Sequence, residues 1–352
     1  AIRWLKRHIT EQVPFEKYRD IIGDPLPDTG KTIAIIGAGP AGLTTAFDLI
    51  RMGHSVTVYE AKAAAGGMTR YGIPEYRLPY EDLDRDIEVI LSLGVEIHYN
   101  TRIGSDISME QLKNEFDAVL LAIGLQEGRQ TRIPQSEHEK VYRAIDLLDK
   151  ITDKEAFELP HCAVIIGGGN VAMDIARSLA RLQKQQYGEV NVTVTALEEQ
   201  QHFMADPDEI KEALEEGILI RDKCGPQGCE VDNTGKLIGL KTWKVLSIFD
   251  ENHRFSPTYD EEQETIHVCD TVIEAIGQFS DTALLGDELT EQLEWDRGRI
   301  KIDANGRTSE SWLWSAGDCV NGPDVVHAVA DGHRVAASIN EMLSTHSAKP
   351  IK

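Results

Sequence analysis

Residues 31–60 leave this chain little freedom in what it can fold into. Thr32–Ile36 is an apolar run that reads as a strand, and Gly37-Ala38-Gly39-Pro40-Ala41-Gly42 is a tight glycine turn. Residues 40–52 read as a helix and Ser55–Tyr59 as a second strand, which ends on Glu60. Each glycine meets a separate demand of a strand–turn–helix unit built to hold a dinucleotide. Gly37 permits the tight turn, Gly39 lets the backbone approach a pyrophosphate, and Gly42 lets helix and strand pack closely. The helix N-terminus presents unpaired N–H groups to phosphates, and Glu60 stands where a carboxylate accepts hydrogen bonds from a ribose diol.

The same pattern returns 130 residues later. Residues 162–166 form an apolar strand, Gly167-Gly168-Gly169-Asn170-Val171-Ala172 the turn, residues up to about 182 a helix, and residues 190–196 a strand. Gly167, Gly169 and Ala172 take the three fingerprint positions, the third of which accepts alanine. Residues 117–124, ending in Ala122-Ile123-Gly124, close the first unit with a buried parallel strand. Residues 270–277, ending in Ala275-Ile276-Gly277, close the second in the same way. An internal repeat of this kind implies an α/β fold of two Rossmann-like dinucleotide-binding domains, and therefore two dinucleotides.

Between these landmarks the chain is less explicit. Residues 2–9 read as a short basic amphipathic helix that packs back on the body, with docking of a partner as the alternative. The stretch from Pro14 through Pro25 and Pro27 reads as extended. Gly66 and Gly67, directly after the ribose-binding acid, bring the backbone close to the same cofactor again. Helices are expected over 80–93, 109–116 and 206–216, and antiparallel strands over 237–249 and 264–269. Residues 312–318, Trp-Leu-Trp-Ser-Ala-Gly-Asp, precede a last helix that starts at Pro323 or Val325 and reaches Met342. Its alanines and glycine allow close approach. The polar tail 344–352 is expected to fray.

The formal charge of −23 opposes nucleic acid and anionic membrane surfaces. No run approaches the length of a membrane span, and no signal peptide is recognisable, so a soluble cytoplasmic protein is expected. The five cysteines are too few and scattered for a disulfide framework. Cys224 and Cys229 are wider apart than a redox CxxC and read as thiols flanking a turn. With no CxxC before Gly167 or after Gly67, a disulfide-relay mechanism is not expected. No histidine holds a ligand spacing, and Trp312 and Trp314 read as packing residues. No metal site is expected on this chain.

With these residues in place, the chain resembles the two-dinucleotide-binding flavoproteins, in which an NAD(P) domain is inserted in an FAD domain. The match is closer to the NAD(P)H-oxidising module of the glutamate synthase small (beta) subunit. That module is also seen in dihydropyrimidine dehydrogenase and in NADH-dependent ferredoxin:NADP oxidoreductase. The residues that carry the likeness are Gly72-Ile73-Pro74-Glu75-Tyr76-Arg77-Leu78-Pro79, Gly306-Arg307-Thr308-Ser309 and Val325-Val326-His327-Ala328-Val329-Ala330-Asp331-Gly332. The resemblance implies a linker over 1–28, an FAD domain over 29–125 and 281–352, and an NAD(P) domain over 126–280. It puts FAD on Gly37, Ala38, Gly39, Pro40, Ala41, Gly42, Glu60, Ala61, Lys62, Gly66, Gly67, Met68, Arg77 and Ile103. Further FAD contacts fall on Ala122, Gly124, Gly317, Asp318, Val325 and Val326. It puts the nicotinamide dinucleotide on Gly168, Gly169, Asn170, Val171, Glu198, Ala275, Ile276 and Gly277. No side chain is implied as acid or base, because position and field suffice for a hydride step.

Two departures from this subgroup shape the expectation. Its members carry a cysteine-rich segment for two 4Fe–4S clusters upstream of a helix like 2–9. The clusters are therefore expected on a partner subunit or on a further segment of a longer polypeptide. NADPH-using members also place cations where this chain has Leu197, Glu198 and Glu199. A carboxylate there repels a 2′-phosphate and can bind a free 2′-hydroxyl, so NADH is expected over NADPH. The expectation is thus an FAD-dependent NADH oxidoreductase module that works with an iron–sulfur partner. The alternatives are a glutamate synthase beta subunit using NADPH and a flavin-binding assembly module without turnover.

Overall fold

The computed structural model describes residues 2–322 and 324–345. The chain divides into two units, one of residues 1–70, 75–126 and 279–352 and the other of residues 71–74 and 127–278. Each is built on its own five-stranded sheet.

In the first unit the strand Thr32–Ile36 lies at the centre, between Ser55–Tyr59 and Ala118–Leu121. Glu96–His98 and Leu313–Ser315 form the two edges, and every pairing is parallel. Parallel strands covered on both faces read as apolar runs, and Ile33, Ala34, Ile35, Val119, Leu120 and Leu121 are all fully buried. Helices Pro40–Arg51, Tyr80–Leu91 and Val325–Thr345 cover one face through Leu43, Leu49, Ile87, Val335 and Ile339. Met109, Leu112, Leu285 and Leu289 cover the other. The last helix approaches Pro40–Arg51 so closely that a Cβ at Gly332 would lie 2.8 Å from the Ala41 carbonyl. The small residues of that helix serve this contact.

The second unit repeats the plan. Ala163–Ile166 is central, flanked by Val192–Thr195 and Thr271–Glu274, with Leu219–Arg221 and Val141–Arg143 outside them, all parallel. Helices Ala144–Thr152 and Asn170–Tyr187 cover one face. A three-stranded antiparallel sheet of Cys224–Val231, Leu237–Phe249 and Phe255–Val268 covers the other through Cys229, Leu237 and Leu240. The two units thus realise the duplicated α/β plan expected from the repeated glycine turns.

Several local expectations are corrected. Residues Phe15–Ile22 are helical rather than extended. Pro14 lies just outside the helix, where its missing N–H costs nothing, and the next proline is Pro25. In the helix Ile2–Glu11, Ile2, Leu5 and Ile9 are 59–74% exposed, so that face does not pack on the body. Cys224 and Cys229 lie along one strand with an irregularity between Pro226 and Gly228, and do not flank a turn. The helix Asn170–Tyr187 runs one turn further than the sequence suggests, to a left-handed glycine cap at Gly188. Pro323 and residues 346–352, which include most of the tail expected to fray, lie outside the described residues. Thr345 ends the final helix. Trp314 is fully buried and its indole N–H donates to Ser338 Oγ at 3.0 Å, a packing role. All five cysteines are free thiols.

Candidate functional site

The two glycine turns are built alike. Gly37 has φ +103° and Gly167 φ +143°, a region open to glycine but strained for other residues. Each turn begins where the central strand leaves the sheet. The Gly37 N–H donates to the Tyr59 carbonyl, and the Gly167 N–H to the Thr195 carbonyl, both at 2.8 Å. A Cβ at Gly37 would lie 2.5 Å from the Ala122 carbonyl oxygen, and one at Gly167 would lie 2.3 Å from that of Ala275. Ala122 and Ala275 therefore wall the two turns from the neighbouring strand. Gly39 and Gly169 then cap the following helices, each with extended backbone and no side-chain cap. The orphan N–H groups of both helices stay available to an anion.

In the first unit the surroundings complete a cradle. Glu60 is buried, and its two carboxylate oxygens accept the N–H groups of Ala38 and Lys62, each at 2.8 Å. Burial pushes its carboxyl above the ordinary range, against the pull of these N–H donors. The segment after Glu60 folds back so that the Gly66 N–H donates to the Ala38 carbonyl. Gly67, at φ +54°, then approaches Gly39 so closely that a Cβ would lie 2.8 Å from the Gly39 Cα. Ala61 is exposed and Lys62, Met68 and Arg77 are half-buried, whereas Ile103 is buried among apolar neighbours. Pro40, Ala41 and Gly42 form the first turn of the helix, and Gly124, at φ +62°, follows the strand that walls Gly37.

Gly317 and Asp318 follow the edge strand Leu313–Ser315. Asp318 Oδ1 is buried without a hydrogen-bond partner among the described residues. Burial raises its carboxyl above the ordinary range; Arg299 opposes this, and Asp324 and Asp331 add to it. Such an acceptor fits a hydroxyl-bearing ligand. The turn that carries it is held by a residue not singled out in the sequence. Asp331 Oδ2 accepts the Gly317 N–H and the Asn321 side-chain amide, each at 3.2 Å. Asp324 caps the final helix by accepting the His327 N–H at 2.9 Å, with Val325 and Val326 exposed in its first turn. Glycine cradle, free helix N-terminus and orphan carboxylate together fit the diphosphate and polyol of FAD.

In the second unit Gly168, Gly169, Asn170 and Val171 form an accessible turn, and among the described residues, its chain neighbours aside, no atom lies within 4 Å of a Cβ placed on Gly169. Asn170 Oδ1 accepts the Asp206 N–H at 2.8 Å, which ties this turn to the start of the helix Pro207–Glu215. Ala275, Ile276 and Gly277 continue the strand beside it, and Gly277 has φ +102°. Glu198 is half-buried beyond the strand Val192–Thr195. Its neighbour Glu199 pairs with Lys223, and that ion pair holds the Glu199 carboxyl below the ordinary range. This open glycine turn fits a second diphosphate. No group of residues among those described could hold a metal ion, and no described helix is long and apolar enough to cross a membrane.

A family model for pyridine nucleotide-disulphide oxidoreductases matches residues 31–332. The beta subunit of the NADP(+)-dependent formate dehydrogenase of Moorella thermoacetica is 35% identical over 329 residues, 92% of this chain and 45% of that one. The PreT subunit of the NAD-dependent dihydropyrimidine dehydrogenase of Escherichia coli K12 is 35% identical over 342 residues, 96% of this chain and 74% of that one. The small chain of the NADPH glutamate synthase of the same strain is 30% identical over 341 residues, covering 90% of this chain and 69% of that one. This chain therefore spans less than half of the first of these relatives and about two thirds to three quarters of the others. Among solved structures, Mycobacterium tuberculosis FprA in complex with NADPH superposes with a TM-score of 0.73 at 17% identity, covering 91% of this chain and 85% of that one, a likeness of fold. The resemblance to glutamate synthase and dihydropyrimidine dehydrogenase subunits expected from the motifs is borne out by these relatives.

Proposed function

The chain belongs to the pyridine nucleotide-disulphide oxidoreductase family, and on that premise we propose that it is an FAD-dependent NADH oxidoreductase module serving an iron–sulfur partner. In this reading FAD occupies the domain of residues 29–125 and 281–352, and the nicotinamide dinucleotide the domain of residues 126–280. When bound, the two cofactors would supply the chemistry, hydride transfer between nicotinamide and flavin and single-electron release from the flavin. The protein's own residues bind and orient. Gly39 and the N-terminus of Pro40–Arg51 hold a diphosphate, Glu60 a ribose, Asp318 the ribityl chain, and Gly168 to Val171 the second diphosphate. No side chain serves as acid or base.

The observation that carries the reading is the buried Asp318 Oδ1 without a partner, set in a unit whose glycine turn is otherwise complete. The partner is an iron–sulfur subunit or a further segment of a longer polypeptide, and the expected location is the cytoplasm. The relatives support a role as one part of a larger oxidoreductase, since two are named as subunits and one as a small chain.

For the second cofactor the acids at Glu198 and Glu199 favour NADH. A specific observation favours the NADPH alternative of a glutamate synthase beta subunit. Lys223 pairs with Glu199, so the acidic character there is partly cancelled and an ammonium group is at hand to exchange that partner for a 2′-phosphate. Anaerobic titration of the flavin with each nucleotide separates the two. NADH is expected to bleach the flavin at lower concentration than NADPH, and Glu198→Arg to narrow or reverse that order. Preference for NADPH in the unaltered protein overturns the assignment. A purified chain without flavin absorbance in the blue and near-ultraviolet removes the whole reading, and flavin that stays oxidised under either nucleotide supports the non-catalytic assembly module instead.

A further inference from the structure

The internal repeat allows each residue of the second unit to be set beside its counterpart in the first. Strand Ala118–Leu121 pairs with Thr32–Ile36 so that Leu121 stands opposite Ile36, one residue before Gly37. Strand Thr271–Glu274 pairs with Ala163–Ile166 so that Glu274 stands opposite Ile166, one residue before Gly167. The position filled by a fully buried leucine in the first unit is thus filled by a glutamate in the second. Glu274 is 2% exposed. Its Oε1 accepts the Thr131 N–H at 2.8 Å and also the Thr131 hydroxyl. Its Oε2 is buried with no hydrogen-bond partner among the described residues. A buried acceptor left unpaired is unfavourable, and a carboxylate more so than most. Leucine at the equivalent place shows that the fold itself does not require one.

The location gives this acceptor its use. In an open parallel sheet, ligands bind outside the carboxyl ends of the strands, where the strand order reverses. In the second unit that reversal falls between Ala163–Ile166 and Thr271–Glu274. With a diphosphate on Gly168 and Gly169, the nicotinamide half crosses toward the second of these strands, which ends on Glu274. We propose that Glu274 is a positioning residue for the nicotinamide. Its Oε1 anchors the Thr131 segment, and its Oε2 accepts a hydrogen bond from the carboxamide N–H of the ring. The inference rests on the reading of this unit as the nicotinamide site. It adds a residue to that site and a reason to select a ring bearing an amide donor.

The test compares binding of NADH with that of its reduced 3-acetylpyridine analogue, which carries a methyl group in place of the amide nitrogen. Dissociation constants are measured by calorimetry on the protein loaded with the 5-deaza analogue of the flavin, which exchanges hydride but not single electrons, reduced beforehand so that a reduced nucleotide meets no hydride acceptor. The unaltered protein is expected to bind NADH about tenfold to a hundredfold more tightly than the analogue, the range for a charged hydrogen bond. Glu274→Leu restores the residue of the first unit and is expected to bring the two constants within about twofold. Glu274→Gln keeps an acceptor for Thr131 while turning an amide N–H toward the ligand. It is expected to remove the preference with the melting temperature little changed, which guards against loss of fold in the leucine variant. An unchanged preference in Glu274→Gln overturns the proposal, as does an equal loss of affinity for both nucleotides, which points to a ribose hydroxyl as the donor. Failure of the unaltered protein to bind either nucleotide refutes the nicotinamide site itself.

Discussion

At the scale of single residues, the first site depends on an acceptor waiting for a donor. Asp318 carries a buried Oδ1 with no protein partner, and Asp331 fixes the turn that presents it. A hydrogen bond to a charged group contributes about 1.5–3 kcal/mol. Asp318→Ala is therefore expected to weaken FAD binding about tenfold to a hundredfold, read as the flavin-to-protein ratio after dilution and gel filtration. Full flavin retention shows that Asp318 does not touch the cofactor. Asp318 is named as a candidate by its Gly-Asp pair through the resemblance to the flavoproteins, whereas its unpartnered oxygen is visible only in the structure. Glu274 was not legible at all, because nothing in Val272-Ile273-Glu274 distinguishes it until the register places it opposite Ile166, as Leu121 stands opposite Ile36 in the first unit. Asp331 was equally hidden: it lies on a helix, and only the return of the chain at Gly317 brings its carboxylate to use.

At the scale of elements, what could be read from sequence followed from burial. Strands buried on both faces, such as Thr32–Ile36 and Ala163–Ile166, announce themselves as unbroken apolar runs. The helix Ala144–Thr152 did not, although Ile145, Leu147 and Leu148 are buried, because Arg143 offers no capping side chain to mark its start. Only the end of Phe255–Val268 was legible, since Pro257 and the run from Asp260 to Glu262 interrupt its alternation. The pairing of Asn170–Tyr187 with Pro207–Glu215 is ionic at its centre. Arg177, 2% exposed, meets Glu209, Glu212 and Glu216. Removing Arg177 leaves carboxylates uncompensated, but these are 12–52% exposed and partly solvated, so the cost falls below that of a fully buried pair, to about 1–3 kcal/mol. Arg177→Leu is expected to destabilise the second unit by about that amount in denaturant unfolding, and a change within error would mark the cluster as solvated. The same cluster sets a pH dependence. Burial would raise the Glu216 carboxyl, but the hydrogen bonds from Arg177 and Arg181 outweigh it and hold it below the ordinary range. Its stabilisation is therefore complete above the ordinary glutamate value and is lost as pH falls through the lower folded value. Acid unfolding of Arg177→Leu should show a shallower slope in that window.

At the scale of the whole molecule, the repeated plan makes the two sites separately addressable. Gly37→Ala and Gly167→Ala each drive a Cβ into a carbonyl oxygen of the neighbouring strand. The first is expected to abolish flavin retention. The second is expected to leave flavin bound while abolishing its reduction by low concentrations of nucleotide. Loss of flavin in the Gly167 variant contradicts independent sites. The duplication itself was plain from the 130-residue spacing of the glycine turns. The insertion of an antiparallel sheet between the strand Leu219–Arg221 and the closing strand was plain only in outline, because Phe255–Val268 is largely exposed on both faces and so carries weak periodicity.

That antiparallel sheet has a consequence for the molecule in concentrated solution. Among the described residues Phe255–Val268 is a fourteen-residue edge strand, long enough to template another chain, and every other residue along it turns its backbone N–H and C=O outward. Glu261, Glu262 and Glu264 project from it into solvent, and a second edge laid alongside would bring like charges together. Their repulsion guards the protein against open-ended growth into fibres, so that the acidity of this surface acts as a solubility device independent of any cofactor.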